Sequence, residues 1–172
     1  MTTIINGTTD AITFPDATIQ NTSAIVGGKV PYINLPAGSV LQVIQSTSTS
    51  QFTTTSATPV DAGFSATITP KFSSSKILVL MTGNGAILSS GVNWYLYIYR
   101  NTTPTGYVNA VEYNGISSGT LGVGFSLNYL DSPATTSATT YRLYVNSNGS
   151  ASGYIRSDPS TMMTVTLIEV AA

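Results

Sequence analysis

The chain has 172 residues, of which 8% are charged against about 25% in ordinary soluble domains, and threonine and serine supply its polar surface instead. Its net charge of −1 leaves no electrostatic footprint for nucleic acid or an anionic membrane. It has no cysteine and no histidine, which removes disulfides, thiolate chemistry, the commonest general base and the commonest metal ligand, so no cofactor or metal is expected.

The first stretch with a pattern is DAITFPDATIQNTSAI, residues 10–25, where Ile12, Phe14, Ile19 and Ile25 punctuate a polar run broken by Pro15. It is too short and too interrupted to bury itself. With the Gly- and Pro-rich GGKVPYINLPAG that follows, it reads as an extended N-terminal attachment arm and linker over residues 1–36. Ordering such an arm costs roughly 1–2 kcal/mol per residue. Burial against another chain, at about 25 cal/mol per Å2, is what offsets that cost. Ile12, Phe14, Ile19 and Ile25 are therefore the expected arm contacts, to sister chains or to a neighbouring protein. No basic-then-apolar leader opens the chain and no apolar run approaches the roughly 18 residues of a membrane span, so neither a signal peptide nor a membrane partner is expected.

Residues 37–172 show period two throughout, in Thr/Val/Ile/Tyr-rich runs. Strands are expected near 39–45, 49–55, 63–69, 75–82, 92–100, 106–113, 121–130, 139–146, 151–157 and 162–170, with no amphipathic helix. Turn signals stand at Asn84-Gly85, Asn114-Gly115, Asn148-Gly149 and Asp158-Pro159. The reading is an all-β head domain, an antiparallel β-sandwich. In VNWYLYIYR, alternation puts Trp94, Leu96, Ile98 and Arg100 on one face and Tyr95, Tyr97 and Tyr99 on the other. Both faces are large and partly apolar, so the strand needs a cover on each side. One cover is the sandwich core; for the tyrosines, whose hydroxyls favour nearby water, a subunit interface is expected. KILVLM, residues 76–81, is likewise apolar on both faces.

Few residues suit catalysis. Among seven acids, Glu112 with Asp131 is the one pair worth weighing as glycosidase carboxylates, and a strand-end or turn role is the better reading for each. GGK at 27–29 lacks the spaced glycine and the following Ser or Thr of a phosphate-binding loop. The glycines of GTLGVG, 119–124, are expected to relieve crowding within a sheet. Tyr107, Tyr113 and the tyrosines above read as core or interface before sugar platforms, and the basic residues form no stripe. No enzymatic activity is expected.

ITFPDATIQNTSAI resembles the I-T-F-x-D-G-T-x-Q-x-T-A segment of tail fibres and other virion proteins of phages of aquatic bacteria, with Ala17 where that pattern has Gly. GSVLQVIQ (38–45), GFSATITPKFSSSKILVLMTG (63–83), YIYRNTTP (97–104), LDSPAT (130–135) and the closing IEV (168–170) are similar to a β domain of the same proteins. The resemblance covers most of the chain. It implies a trimeric, jelly-roll-like virion component with no catalytic residue to carry over. On that footing the chain is expected to be a short homotrimeric tail fibre or fibre tip. Its arm would dock on neighbouring virion proteins, and head loops 84–92, 101–106, 114–120 and 147–153 would contact a host surface glycan. The alternative is a capsid decoration (cement) protein seated at local threefold axes.

Overall fold

Beta-branched and aromatic residues in alternation fit a pleated, half-buried surface, and the computed structural model is built almost wholly of strands. It describes residues 4–6, 11–13, 19–21, 31–87, 93–112, 121–147, 153–156 and 162–172. The chain divides into two units, Met1–Ser39 and Val40–Ala172.

In the first unit β1 (Ile4–Asn6), β2 (Ala11–Thr13) and β3 (Ile19–Asn21) form a three-stranded antiparallel meander. Ile5 pairs with Ile12, and Ile12 with Gln20. Three-residue strands are too short to register as a period-two run, so the sequence signals none here. A 3-10 turn, Tyr32–Asn34, follows. Of the expected arm contacts, Ile12 lies in β2 and Ile19 in β3, while Phe14 and Ile25 lie outside the described residues.

The second unit runs β4 (Val40–Ser48), β5 (Phe52–Thr54), β6 (Val60–Ile68), β7 (Lys76–Ile87), β8 (Asn93–Arg100), β9 (Thr103–Glu112), β10 (Leu121–Asp131), β11 (Thr139–Ser147), β12 (Gly153–Arg156) and β13 (Met163–Val170). Each of the ten expected strands has its counterpart. All pairings are antiparallel. One edge of β7 is taken along its length by β10, from Ile77–Asp131 to Ile87–Leu121. Its other edge is shared end to end by β13, on Lys76–Thr82, and β12, on Asn84–Ile87. Beyond these, β4 pairs with β13 and β5 with β12. Two interrupted strands thus lie beside two continuous ones, making four columns: β4/β5, β13/β12, β7 and β10.

The second sheet has the order β6-β11-β8-β9. Counting each interrupted strand once, eight strands form two sheets of four, and the chain changes sheet at every step except β8 to β9, which is the arrangement of a jelly roll. Among the described residues there is no α-helix, and no helix is long and apolar enough to cross a membrane.

The core lies between the inner faces. Ile77, Val79, Met81, Leu127, Val165 and Leu167 come from the first sheet, and Phe64, Ile68, Leu96, Ile98, Leu143 and Val145 from the second. None is more than 2% exposed. Two edge strands are bulged. In β6, Ala62, Gly63 and Phe64 oppose the single residue Leu143, with Gly63 at φ +70. In β9 the register breaks around Thr105–Tyr107, with Gly106 at φ +85.

One sequence expectation fails here. Asn84-Gly85 is no turn, because β7 continues through it to Ile87, paired on both edges. The cause is local space. Gly83 stands opposite Phe125, and a Cβ on Gly83 would come within 2.7 Å of the Phe125 ring and 2.8 Å of Met163 Cγ. The glycine-rich stretch is a strand thinned so that these two side chains can lean over it. The other three turn signals lie outside the described residues. Gly122 and Gly124 of GTLGVG sit in β10 opposite Ala86 and Asn84; a Cβ on Gly124 would come within 3.3 Å of Asn84 Oδ1, whereas one on Gly122 would meet open space, so the expected relief of crowding holds at Gly124 and not at Gly122. Gly83→Ala is predicted to lower the stability of the fold by about 1–3 kcal/mol through overpacking, read as a lower midpoint in urea denaturation.

Candidate interaction surface

Strand β8 realises its alternation. Trp94, Leu96 and Ile98 are buried, and Tyr95, Tyr97 and Tyr99 point out of the sandwich, half-buried. Pairing with β11 sets Tyr95 beside Asn146, Tyr97 beside Tyr144 and Tyr99 beside Arg142. The ring of Tyr99 lies flat on that of Tyr144, with centroids 3.8 Å apart and planes 13° off parallel. Tyr97 meets Tyr99 edge-on at 6.5 Å. Each such pair contributes about 0.5–1.5 kcal/mol beyond area burial, so the rings hold one another as a rigid outer layer. On the far side of Tyr97, β9 presents Val108, 52% exposed.

Burial pushes the Tyr97 phenol above its ordinary value, and the Tyr99 and Tyr95 phenols add in the same direction. Among the described side chains of this face two charges pair, as Arg142 Nη1 donates to Asp61 Oδ2 at 3.0 Å, and Asp61 Oδ1 accepts the Gly63 N–H at 2.8 Å across the β6 bulge. Thr67 and Thr140 hydroxyls bond across strands at 2.8 Å. The three expected interface tyrosines thus share one face, and Tyr144 joins them. The alternation in TYRLYVN already put Tyr144 opposite Tyr141 and Leu143, but its partnership with β8 bridges some 45 positions that no local pattern spans.

Arg100 turns inward with Ile98. Its Nη1 donates to Asp131 Oδ2 at 3.0 Å and Oδ1 at 3.2 Å. The fully buried Tyr141 hydroxyl donates to Asp131 Oδ2 at 2.7 Å. The network ties β10 of one sheet to β8 and β11 of the other. Burial, and after it the hydrogen bond to Asp131, raises the Tyr141 pKa well above the tyrosine range. Two places along from Asp131, across Ile77, Glu169 is fully buried. It accepts the Lys71 backbone N–H at 2.6 Å and Gln42 Nε2 at 2.5 Å, fastening the connection from β6 to β7.

Asp131 is thus committed to structural bonds; the Glu112 side chain lies outside the described residues, and the two are not brought together as a site. Among the described residues no group of three or more acids is placed to hold a metal ion. Of the expected contact loops, 84–87 belongs to β7. Asn101 and Thr102 make a two-residue turn, with Asn101 at φ +55 clipped to Thr140 by hydrogen bonds of 2.7 and 3.0 Å. Residues 88–92, 114–120 and 148–152, with Tyr113 and the Tyr107 side chain, lie outside the described set.

Neither a known protein family nor a curated protein sequence matches the chain. Solved structures similar to it include the VP2 subviral particle of infectious bursal disease virus, at 16% identity and TM-score 0.41 over 75% of this chain and 40% of that one. The Gx strain of the same virus gives 16% and 0.42 over 84% and 45%. Its T=1 particles give 19% and 0.40 over 76% and 35%. The chain spans less than half the length of these proteins.

The folded pKa of Tyr141 lies above its unfolded value near 10, so its contribution to stability is complete below pH 10 and is lost as pH rises beyond it. Tyr141→Phe is predicted to cost about 1.5–3 kcal/mol at pH 7, by removing a hydrogen bond to a charged acceptor. The same change should flatten the loss of stability above pH 10, both effects being read from denaturant midpoints across pH.

Proposed function

We propose that the chain is a non-enzymatic structural protein of a phage virion, a short homotrimeric tail fibre or fibre tip. In this reading residues 1–36 attach it to neighbouring virion proteins through Ile12, Phe14, Ile19 and Ile25. Residues 37–172 form the head, and copies meet through Tyr95, Tyr97 and Tyr99, with Tyr144 packed among them. The observation that carries the proposal is the tyrosine face. Tyr97, Tyr99 and Tyr144, held by one another, lie with Tyr95 on the outside of a jelly-roll sheet that no helix covers among the described residues, and the two charges described there pair with each other. Rigid aromatic surface loses little side-chain entropy on contact and excludes water well, as interface cores require. The likeness of ITFPDATIQNTSAI to phage fibre segments supports the virion setting. Asn101 and its neighbours, with amides and hydroxyls in place of charge, are the described part of the surface offered to a host glycan.

A second reading, a decoration protein on the capsid, is favoured by a separate observation. The opposite sheet is apolar on its outside too, with Val43 and Leu130 more than half exposed, which suits a subunit packed among others on both faces.

The full chain is predicted to sediment at micromolar concentration as a trimer or a multiple of one; a single-chain species would overturn the proposal. Antibody labelling of particles separates the settings: label at the tail supports the fibre, and label spread over the head supports decoration.

A further inference from the structure

The outside of the β4–β13–β7–β10 sheet carries an unbroken apolar row at right angles to the strands. Val43, Ile168, Leu78 and Leu130 are successive partners in register, one from each strand, and alternation turns all four away from the core. Val43 is 56% and Leu130 52% exposed, while Ile168 and Leu78 are half-buried only by their neighbours. The next row, Gln45, Thr166, Leu80 and Asn128, is neutral, with Gln45 Nε2 donating to Thr166 Oγ1 at 3.1 Å.

Symmetry and area say what covers the row. A foreign partner is ordinarily selected by complementary charges. A copy related by a twofold axis meets the same patch, so a charge near the axis would face its own kind or be buried alone. The whole chain is 8% charged, so a face with one charge is ordinary for it and sets no electrostatic obstacle to a second copy. Where β4, β13, β7 and β10 lie side by side, Lys76 is the one charged residue facing outward; it is the first residue of β7, at the rim where the strands end, and its exposed side chain extends to water there. The row is also its own complement. A twofold axis along the strands, between β13 and β7, sets Val43 against the second copy's Leu130 and Ile168 against its Leu78. Four strands at about 4.8 Å spacing and some eight residues of length give roughly 500 Å2 of face per copy, about 1,000 Å2 in a pair, the lower bound for a specific contact.

We propose that this row is a second self-association site, at which two copies pack face to face about a twofold axis. It is independent of the tyrosine contact, which lies on the other sheet. With both in use, trimers are joined in pairs or larger assemblies.

The chain contains no cysteine, so thiols can be placed at will. In full-length protein, Val43→Cys and Leu130→Cys are surface changes whose Cα atoms lie about 14 Å apart within one chain, too far for an internal disulfide. Mixing the two variants and adding a short bis-maleimide is expected to yield a covalent heterodimer, with far less product from a Ser73→Cys control. Leu130→Asp is expected to abolish assembly beyond the trimer in sedimentation, and Tyr97→Asp to leave a dimer. Retention of the larger species by Leu130→Asp, or no Val43–Leu130 product above the control, overturns the twofold contact and leaves the tyrosine reading standing. A Tyr97→Asp variant that sediments like the parent chain overturns the tyrosine reading and leaves this one standing.

Discussion

Two layers of aliphatic side chains hold the molecule together, Val79, Met81, Leu127 and Leu167 on one sheet against Leu96, Ile98, Leu143 and Val145 on the other. No disulfide backs them, and two ion pairs are described in the whole head. Nearly everything else follows from the need to keep that contact continuous. β7 is paired on both edges along most of its twelve residues and buries Ile77, Val79 and Met81 on its inner face. Where its inner side must clear larger neighbours, the sequence supplies Gly83, and Phe125 and Met163 fill the space. A sheet built this way has little tolerance at its centre and more at its outer faces, where the chain has placed tyrosines and aliphatics instead of charge.

Two buried carboxylates share one row at the end of the core, while Ser75, Thr139, Asn146 and Ser147 are buried elsewhere. Glu169 and Asp131 flank Ile77 at the end of the core, and each oxygen described has a donor. Burying a carboxylate without partners costs several kcal/mol, so such groups persist only where the bonds are complete. Here the bonds also join pieces distant in sequence. Asp131 gathers Arg100 and Tyr141 from the facing sheet, and Glu169 gathers Gln42 and the backbone of Lys71. The two acids close that end of the sandwich as the aliphatic layers close its middle.

Much of this was legible in the sequence, for reasons that differ from strand to strand. β8 could be read residue by residue because VNWYLYIYR alternates without error, and both its faces behave as the pattern requires. The inward position of Glu169 was also legible, since Met163, Val165 and Leu167 set a phase that Glu169 continues; its low polarity of surroundings gave no hint of which groups would bond it. Asn84-Gly85 misled because the dipeptide that makes a tight turn also makes a slim strand, and the deciding neighbours, Phe125 and Met163, are remote. The outer row from Val43 to Leu130 could not be seen at all from one strand. It exists only once four strands are laid in register, with each contributing a single residue.

The strand edges show what a chain so poor in charge does about solubility. Exposed sheet margins invite other chains to add on, and lysines are a common guard against that. Here the margin formed by β4 and β5 is broken between Ser48 and Phe52, β6 is bulged at Ala62–Phe64, and β9 is bulged around Gly106. Each irregularity interrupts the run of amides and carbonyls along its own margin, whereas β10, the fourth margin, runs unbroken for eleven residues and pairs with β7 on one edge. On three of the four margins geometry thus stands guard where charge is missing, and the flat faces are left as the broadest side-chain surface the head offers.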